Sequence, residues 1–142
     1  MKSIKEVMSE DVAVCRKEDT LFDAASKMKK QNVGAIPVCS ENKALLGMVT
    51  DRDLVLRGYA EKKFDTAAVE EVMSDKLYYV SSDASLQEAS DMMAREQIRR
   101  LPIVENEKLA GIVSLGDLSL DDKSNVAAGK ALEDISERPE IH

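Results

Sequence analysis

Two short segments pair a hydroxyl with a carboxylate at the same spacing. GMVTDRDL runs from Gly47 to Leu54, and GIVSLGDL from Gly111 to Leu118. Each ends an apolar run in a hydroxyl, Thr50 or Ser114, and places an acid, Asp53 or Asp117, three residues on. That spacing suits the opening turn of a helix, where the hydroxyl caps a backbone N–H and the carboxylate bonds back to the cap residue. A cap explains why hydroxyl and acid recur while the two residues between them change, from Asp51 and Arg52 to Leu115 and Gly116. The second reactive pair is Arg99 and Arg100. Their planar forks suit bidentate binding of phosphate, although two arginines can equally be solvated surface residues.

The elements that hold these groups come in two copies. VMSEDVAVCRKEDTLFDAASKMKKQNVGAIPV, from Val7, returns as VMSDKLYYVSSDASLQEASDMMAREQIRRLPI, from Val72, at a constant offset of 65 residues. One residue is then lost in a turn, so that Gly47 matches Gly111 and Asp53 matches Asp117 at an offset of 64. Each copy reads as strand, helix, strand, strand, helix. A short β-rich run (Val12 to Cys15; Leu77 to Val80) precedes a helix with apolar residues at helical spacing: Leu21, Ala24, Ala25 and Met28, or Leu86, Ala89, Met92 and Met93. Thr20 with Asp23, and Ser85 with Glu88, have the spacing of capping boxes. A strand containing proline follows (Ala35 to Cys39; Leu101 to Val104), then a polar turn, then a second strand (Leu46 to Val49; Ala110 to Val113). The helix that opens at the hydroxyl closes the copy. By repeat the chain divides into a first motif at 1–60, a linker at 61–71, a second motif at 72–120 and an acidic tail at 121–142. In the tail, Val126 to Ile135 has the composition of one helix and Asp121, Asp122, Glu133 and Asp134 read as a solvated face. A half of about 50 residues buries too little surface to stand comfortably alone, so the copies are expected to pack on each other.

Composition narrows the function. With 44% hydrophobic residues the 142-residue chain reads as globular, and a net charge of −7 opposes sequence-independent binding to nucleic acid or anionic membrane. The charged start MKSIKEVMSE does not read as a signal peptide, and no apolar run reaches the roughly 18 residues of a membrane span. A cytoplasmic protein is expected. Cys15 and Cys39 align with Val80 and Val104, small β-formers, so they read as reduced packing residues. The only histidine is His142, and the chain has neither a nucleophile–base pair, a phosphate-cradling glycine loop nor a metal-ligand cluster, so no enzyme is expected.

The two copies together resemble the CBS (cystathionine β-synthase) domain pair, in particular small stand-alone bacterial and archaeal proteins, hypoxic-response-type ones among them. The resemblance rests on VMS at Val7 and Val72, GAIPV and RRLPI, and the two closing motifs. It implies an α+β fold of tandem β-α-β-β-α repeats with pseudo-twofold symmetry, whose two sheets leave two clefts between the motifs. Such clefts often hold adenosine-containing ligands: AMP, ADP or ATP, sometimes NAD or S-adenosylmethionine, with no obligatory cofactor. The resemblance assigns Thr50 and Asp53 to the ribose and phosphate region of the first site, and Ser114 and Asp117 to that of the second. It directs Arg99 and Arg100 to phosphate. Their counterparts are Gly34 and Ala35, and Arg52 is a partial substitute in the first site. Ile36, Met48, Val12 and Leu77 are candidates to flank an adenine, with Pro37, Leu101, Pro102 and Ile112 completing the set. The expected function is a regulatory sensor that pairs into a homodimer and acts on an unknown protein effector. The alternative is a ligand-free structural or dimerisation module.

Overall fold

The computed structural model describes residues 3–74 and 76–118; the tail and its expected helix over Val126 to Ile135 lie outside the described residues. The chain forms two compact units. One spans Ala13–Leu77, and the other joins Met1–Val12 to Tyr78–His142. In chain order the elements are α1 (Ile4–Val7), α2 (Leu21–Gln31), β1 (Ala35–Cys39), β2 (Leu45–Thr50) and α3 (Asp51–Asp53). The helical path of α3 continues through a wide π turn (Leu54–Gly58) and a 3-10 turn (Tyr59–Glu61), and a further 3-10 turn covers Val69–Glu71. The rest are β3 (Val80–Ser81), α4 (Leu86–Glu96), β4 (Arg100–Glu105), β5 (Lys108–Ser114) and α5 (Leu115–Leu118).

Local chemistry sets the helix ends. Thr20 accepts from the Asp23 N–H while the Asp23 carboxylate accepts from the Thr20 N–H, each at 3.0 Å, which makes a complete capping box for α2. At α4 only half the box forms: Ser85 accepts from the Glu88 N–H at 3.0 Å, without a return bond from the Glu88 side chain. Both helices end in a left-handed residue, Asn32 (φ 55°) and Gln97 (φ 59°). They bury Leu21, Ala24 and Met28 on α2, and Leu86, Ala89 and Met93 on α4, but of the expected apolar positions Ala25 is exposed and Met92 only half-buried, because each lies at the edge of its helix's buried stripe. The lost residue of the second copy is the price of a tighter turn. Asn106 (φ 53°) and Glu107 (φ 65°) form a two-residue hairpin between β4 and β5 with both central residues left-handed.

In the first copy β1 pairs antiparallel with β2; in the second, β5 pairs antiparallel with β4, and β3 lies parallel on the other side of β4. The expected opening strands are shorter than their β-rich composition predicts. Val12 to Cys15 contributes one parallel bridge, Cys15 to Val38, before the Arg16–Asp19 turn bends the chain away. Of Leu77 to Val80, only Val80 enters a strand.

The units do not follow the repeat. Ile4, Val7 and Met8, at the start of the first copy, pack with Leu86, Ala89, Met93, Leu101, Ile103 and Val113 of the second. Val72 and Met73, at the start of the second copy, pack with Leu21, Ala24, Met28, Ile36, Val38 and Val49 of the first. Reciprocal backbone bonds join Ser9 to Ile112 (2.8 and 2.9 Å) and Ser74 to Met48 (2.9 and 3.2 Å). Each Val-Met-Ser segment thus lies along the last strand of the other copy. That crossing explains the recurring glycine. A Cβ at Gly111 would stand 2.6 Å from the Ser9 carbonyl oxygen, and one at Gly47 would overlap the Ser74 carbonyl oxygen.

Candidate functional site

The closing motif of each copy is a helix opening set at the end of a strand. Thr50 Oγ1 accepts from the Asp53 N–H and Asp53 Oδ2 accepts from the Thr50 N–H, both at 3.0 Å. Ser114 and Asp117 repeat this at 3.1 and 2.9 Å. The residue after the hydroxyl is tied to the residue just before the copy's first long strand in both: the Asp51 N–H donates to the Gly34 carbonyl (2.9 Å), the Leu115 N–H to the Arg99 carbonyl (3.1 Å). Residues 34 and 99 therefore stand against the helix opening in their own copy.

Strand register sorts the remaining candidates by face. Ala35 pairs with Thr50 and Pro37 with Met48; Arg100 pairs with Ser114 and Pro102 with Ile112. Cross-strand partners share a face, and faces alternate along a strand. Ile36 and Leu101 therefore point the other way, where both are fully buried in their unit's aliphatic cluster. Thr50, Pro37 and Met48 share one face in the first copy, and Ser114, Arg100, Pro102 and Ile112 share its equivalent in the second. Val12 is half-buried and Leu77 is exposed.

The two copies differ in charge at this face. Arg100 is half-buried, and its Nε is buried with no hydrogen-bond partner among the described residues. Burial lowers its pKa from the usual arginine range, and the neighbouring Asp117 carboxylate opposes that shift. Arg99 is exposed beside it. In the first copy the Asp51 carboxylate occupies the corresponding ground, with Oδ2 3.1 Å from where a Cβ on Gly34 would be. A further residue enters here that motif reading passed over: Arg57 Nε lies 4.0 Å from Asp53 Oδ1, and its NH1 is 3.4 Å from the carbonyls of Val72 and Met73. The signal available in the sequence was the i,i+4 spacing from Asp53.

Both cysteines are free and buried. Burial pushes the Cys15 thiol up to about 11 and that of Cys39 up as well. Among the described residues no group of three His, Cys, Asp or Glu side chains could hold a metal ion, and no helix is long and apolar enough to cross a membrane.

Duplicated strand–helix units, each closing on a hydroxyl–carboxylate helix opening, define a tandem-repeat α+β module. The chain belongs to the CBS domain family, whose model matches residues 4–58 and 69–120. It is 50% identical over 138 residues to YlbB of Bacillus subtilis (strain 168), covering 96% of this chain and 93% of that protein. It is 36% identical over 120 residues to Hypoxic response protein 1 of Mycobacterium tuberculosis (strain H37Rv), covering 84% of each. Among solved structures, Hypoxic Response Protein I with two coordinated zinc ions superposes with a TM-score of 0.78 at 33% identity, over 84% of this chain and 98% of that one. CBSX2 in complex with AMP superposes with a TM-score of 0.73 at 23% identity, over 97% and 100%. The CBS domain pair of MJ0100, in complex with 5′-methylthioadenosine and S-adenosyl-L-methionine, gives 0.74 at 22% identity, over 84% and 98%. The resemblance in the quoted motifs thus holds for both copies, and the chain is a CBS-pair regulatory module. The zinc of the hypoxic response protein finds no equivalent ligand cluster among the described residues here.

Proposed function

We propose that this protein is a sensor of adenosine-containing ligands of the AMP, ADP or ATP class, held by the closing motifs Thr50/Asp53 and Ser114/Asp117. The observation that carries the reading is the buried Nε of Arg100, without a partner among the described residues and set across the ladder from Ser114 in a CBS-family chain. A buried charged donor without a partner costs stability, and a phosphate oxygen would satisfy it. Asp117 supplies the carboxylate that can accept from ribose hydroxyls, and Arg99 a second, solvent-side cation. The AMP bound to CBSX2 and the adenosine compounds bound to MJ0100 support the ligand class.

Ligand binding acts by shifting a population: a nucleotide that binds one arrangement of the chain more tightly than another favours that arrangement and changes affinity for a protein effector. A homodimer is part of the reading. Phe22, Val55 and Tyr59 of the first copy and Phe64 of the linker stand 55% exposed or more, and such aromatic and aliphatic faces suit a second protomer. Free, buried thiols fit a reducing cytoplasm.

A thermal-shift screen of AMP, ADP, ATP, NAD, NADH and S-adenosylmethionine tests the ligand class. A cognate nucleotide at about 100 times its Kd should stabilise the fold by roughly 2.7 kcal/mol and raise Tm by several degrees. No shift with any compound, with calorimetry agreeing, would favour the ligand-free dimerisation module instead.

A further inference from the structure

The two closing motifs present opposite chemistry to the same part of a ligand. Resting on the adenosine reading above, we propose that Asp51 makes the first position selective for adenosine compounds that carry no phosphate, while the second takes the phosphorylated ones. One chain would then read two different adenosine compounds.

Three features of the first copy lead there. Its Asp51 carboxylate takes up an amide of the helix opening, the Arg52 N–H donating to Asp51 Oδ1 at 2.8 Å, whereas the bonds from the Asp51 N–H to the Gly34 carbonyl and from the Asp53 N–H to Thr50 Oγ1 recur in the second copy at Leu115 and Asp117. A phosphate at a helix opening depends on such amides. Next, the Asp51 carboxylate lies against Gly34, on the ground that Arg99 holds in the second copy, so an arriving phosphate meets a like charge where its counterpart meets a cation. Finally, the cations nearby are engaged. Arg57 faces Asp53 and the carbonyls of Val72 and Met73, and Arg52, exposed, has interactions of its own. What the first copy keeps is Asp53, an acceptor able to serve a ribose whether or not the ligand is phosphorylated.

In the second copy Leu115 replaces Asp51, so the opening turn carries no second carboxylate, and Arg100 offers its buried Nε. The split follows from these side chains, since the strand register and the capping bonds are the same in both copies.

Isothermal titration of the 142-residue protein with adenosine and with AMP, separately, tests the proposal. The wild type should take two adenosines but one AMP per chain. Asp51→Ala, an exposed position, should admit a second AMP, with affinity at that position raised by about tenfold or more from loss of the like charge and release of the Arg52 amide. Asp51→Asn, which keeps the shape and removes the charge, should move the same way by less. Asp53→Ala should delete one adenosine and leave the AMP in place. Two equivalent AMP positions in the wild type would overturn the proposal and leave the adenosine reading intact. So would a single AMP per chain in both Asp51 variants while they remain folded by circular dichroism. Binding of neither compound would overturn both readings.

Discussion

Arg100 and Ser114 stand directly opposite one another across the β4–β5 ladder, and the equivalent pair in the first copy is Ala35 and Thr50. One substitution between otherwise matching positions therefore changes an apolar contact into a half-buried cation beside a hydroxyl and an acid. Among the described residues its buried Nε has no partner, so Arg100 is better explained by what it awaits than by what it stabilises. Arg100→Leu should weaken AMP roughly 10- to 100-fold, the equivalent of about 1.5 to 3 kcal/mol for a charge-assisted bond, and leave adenosine affinity unchanged. The same variant should melt no lower than the wild type, because it removes an unsatisfied buried donor. Calorimetry and a thermal melt check the two halves; a large drop in Tm with unchanged AMP binding would make Arg100 a structural residue.

The glycines of the closing strands should not be interchangeable with the glycine of the closing helix. Gly111→Ala pushes a methyl group into the Ser9 carbonyl and the Met8 side chain, and Gly47→Ala into the Ser74 carbonyl. Backbone contacts yield little, so each should cost about 1 to 3 kcal/mol. Gly116→Ala meets only Ser114 Oγ at an ordinary 3.5 Å, in a helix turn, and should be neutral or stabilising by up to about 1 kcal/mol. Urea unfolding of the three variants measures this.

Lys5 and Glu105 tie α1 to β4, with the Ser82 hydroxyl donating to Glu105 Oε1 at 2.8 Å. The hydrogen bond from Lys5 and then that from Ser82 lower the Glu105 pKa, and the bond to Glu105 raises that of Lys5. The carboxylate contribution is present above the ordinary glutamate range near pH 4.3 and is lost as pH falls through the lower folded value. The lysine contribution is present below the ordinary range near pH 10.4 and is lost as pH rises through the higher folded value. Urea melts of wild type and Lys5→Met should therefore differ only between these limits. The pair is exposed, so the difference should shrink with added salt. A gap that persists at pH 2.5 would assign the effect to packing of the lysine stem.

Neither thiol should react in the native protein. Cys15 is fully buried with its pKa pushed up to about 11, and Cys39 is buried with its own raised. An aromatic disulfide reagent at pH 8 should titrate no thiol in buffer and two in denaturant. Rapid native labelling would show that this part of the first unit opens readily.

The sequence by itself determined the duplication, the α+β class, the paired long strands of each copy and the hydroxyl–carboxylate caps. These signals are local: a cap is an i,i+3 relation and an amphipathic helix a 3.6-residue period, so Thr20/Asp23, Thr50/Asp53 and Ser114/Asp117 are legible without knowing what lies across the fold. The half-formed box at Ser85 shows the limit, since spacing permits the Glu88 return bond and does not compel it. Only the tertiary structure decided what long-range contact decides. It laid each Val-Met-Ser segment on the other copy's last strand, which an alignment of like with like conceals. It reduced the first β-rich run to a single bridge at Cys15, because a strand needs a partner along its length and β-propensity alone supplies none. It turned Ile36 and Leu101 into the core while Arg100 and Ser114 faced the other way, through a period-two alternation that register alone assigns to a side. It also brought Asp51 against Gly34, 17 positions earlier in the chain, where no spacing rule would have looked for it.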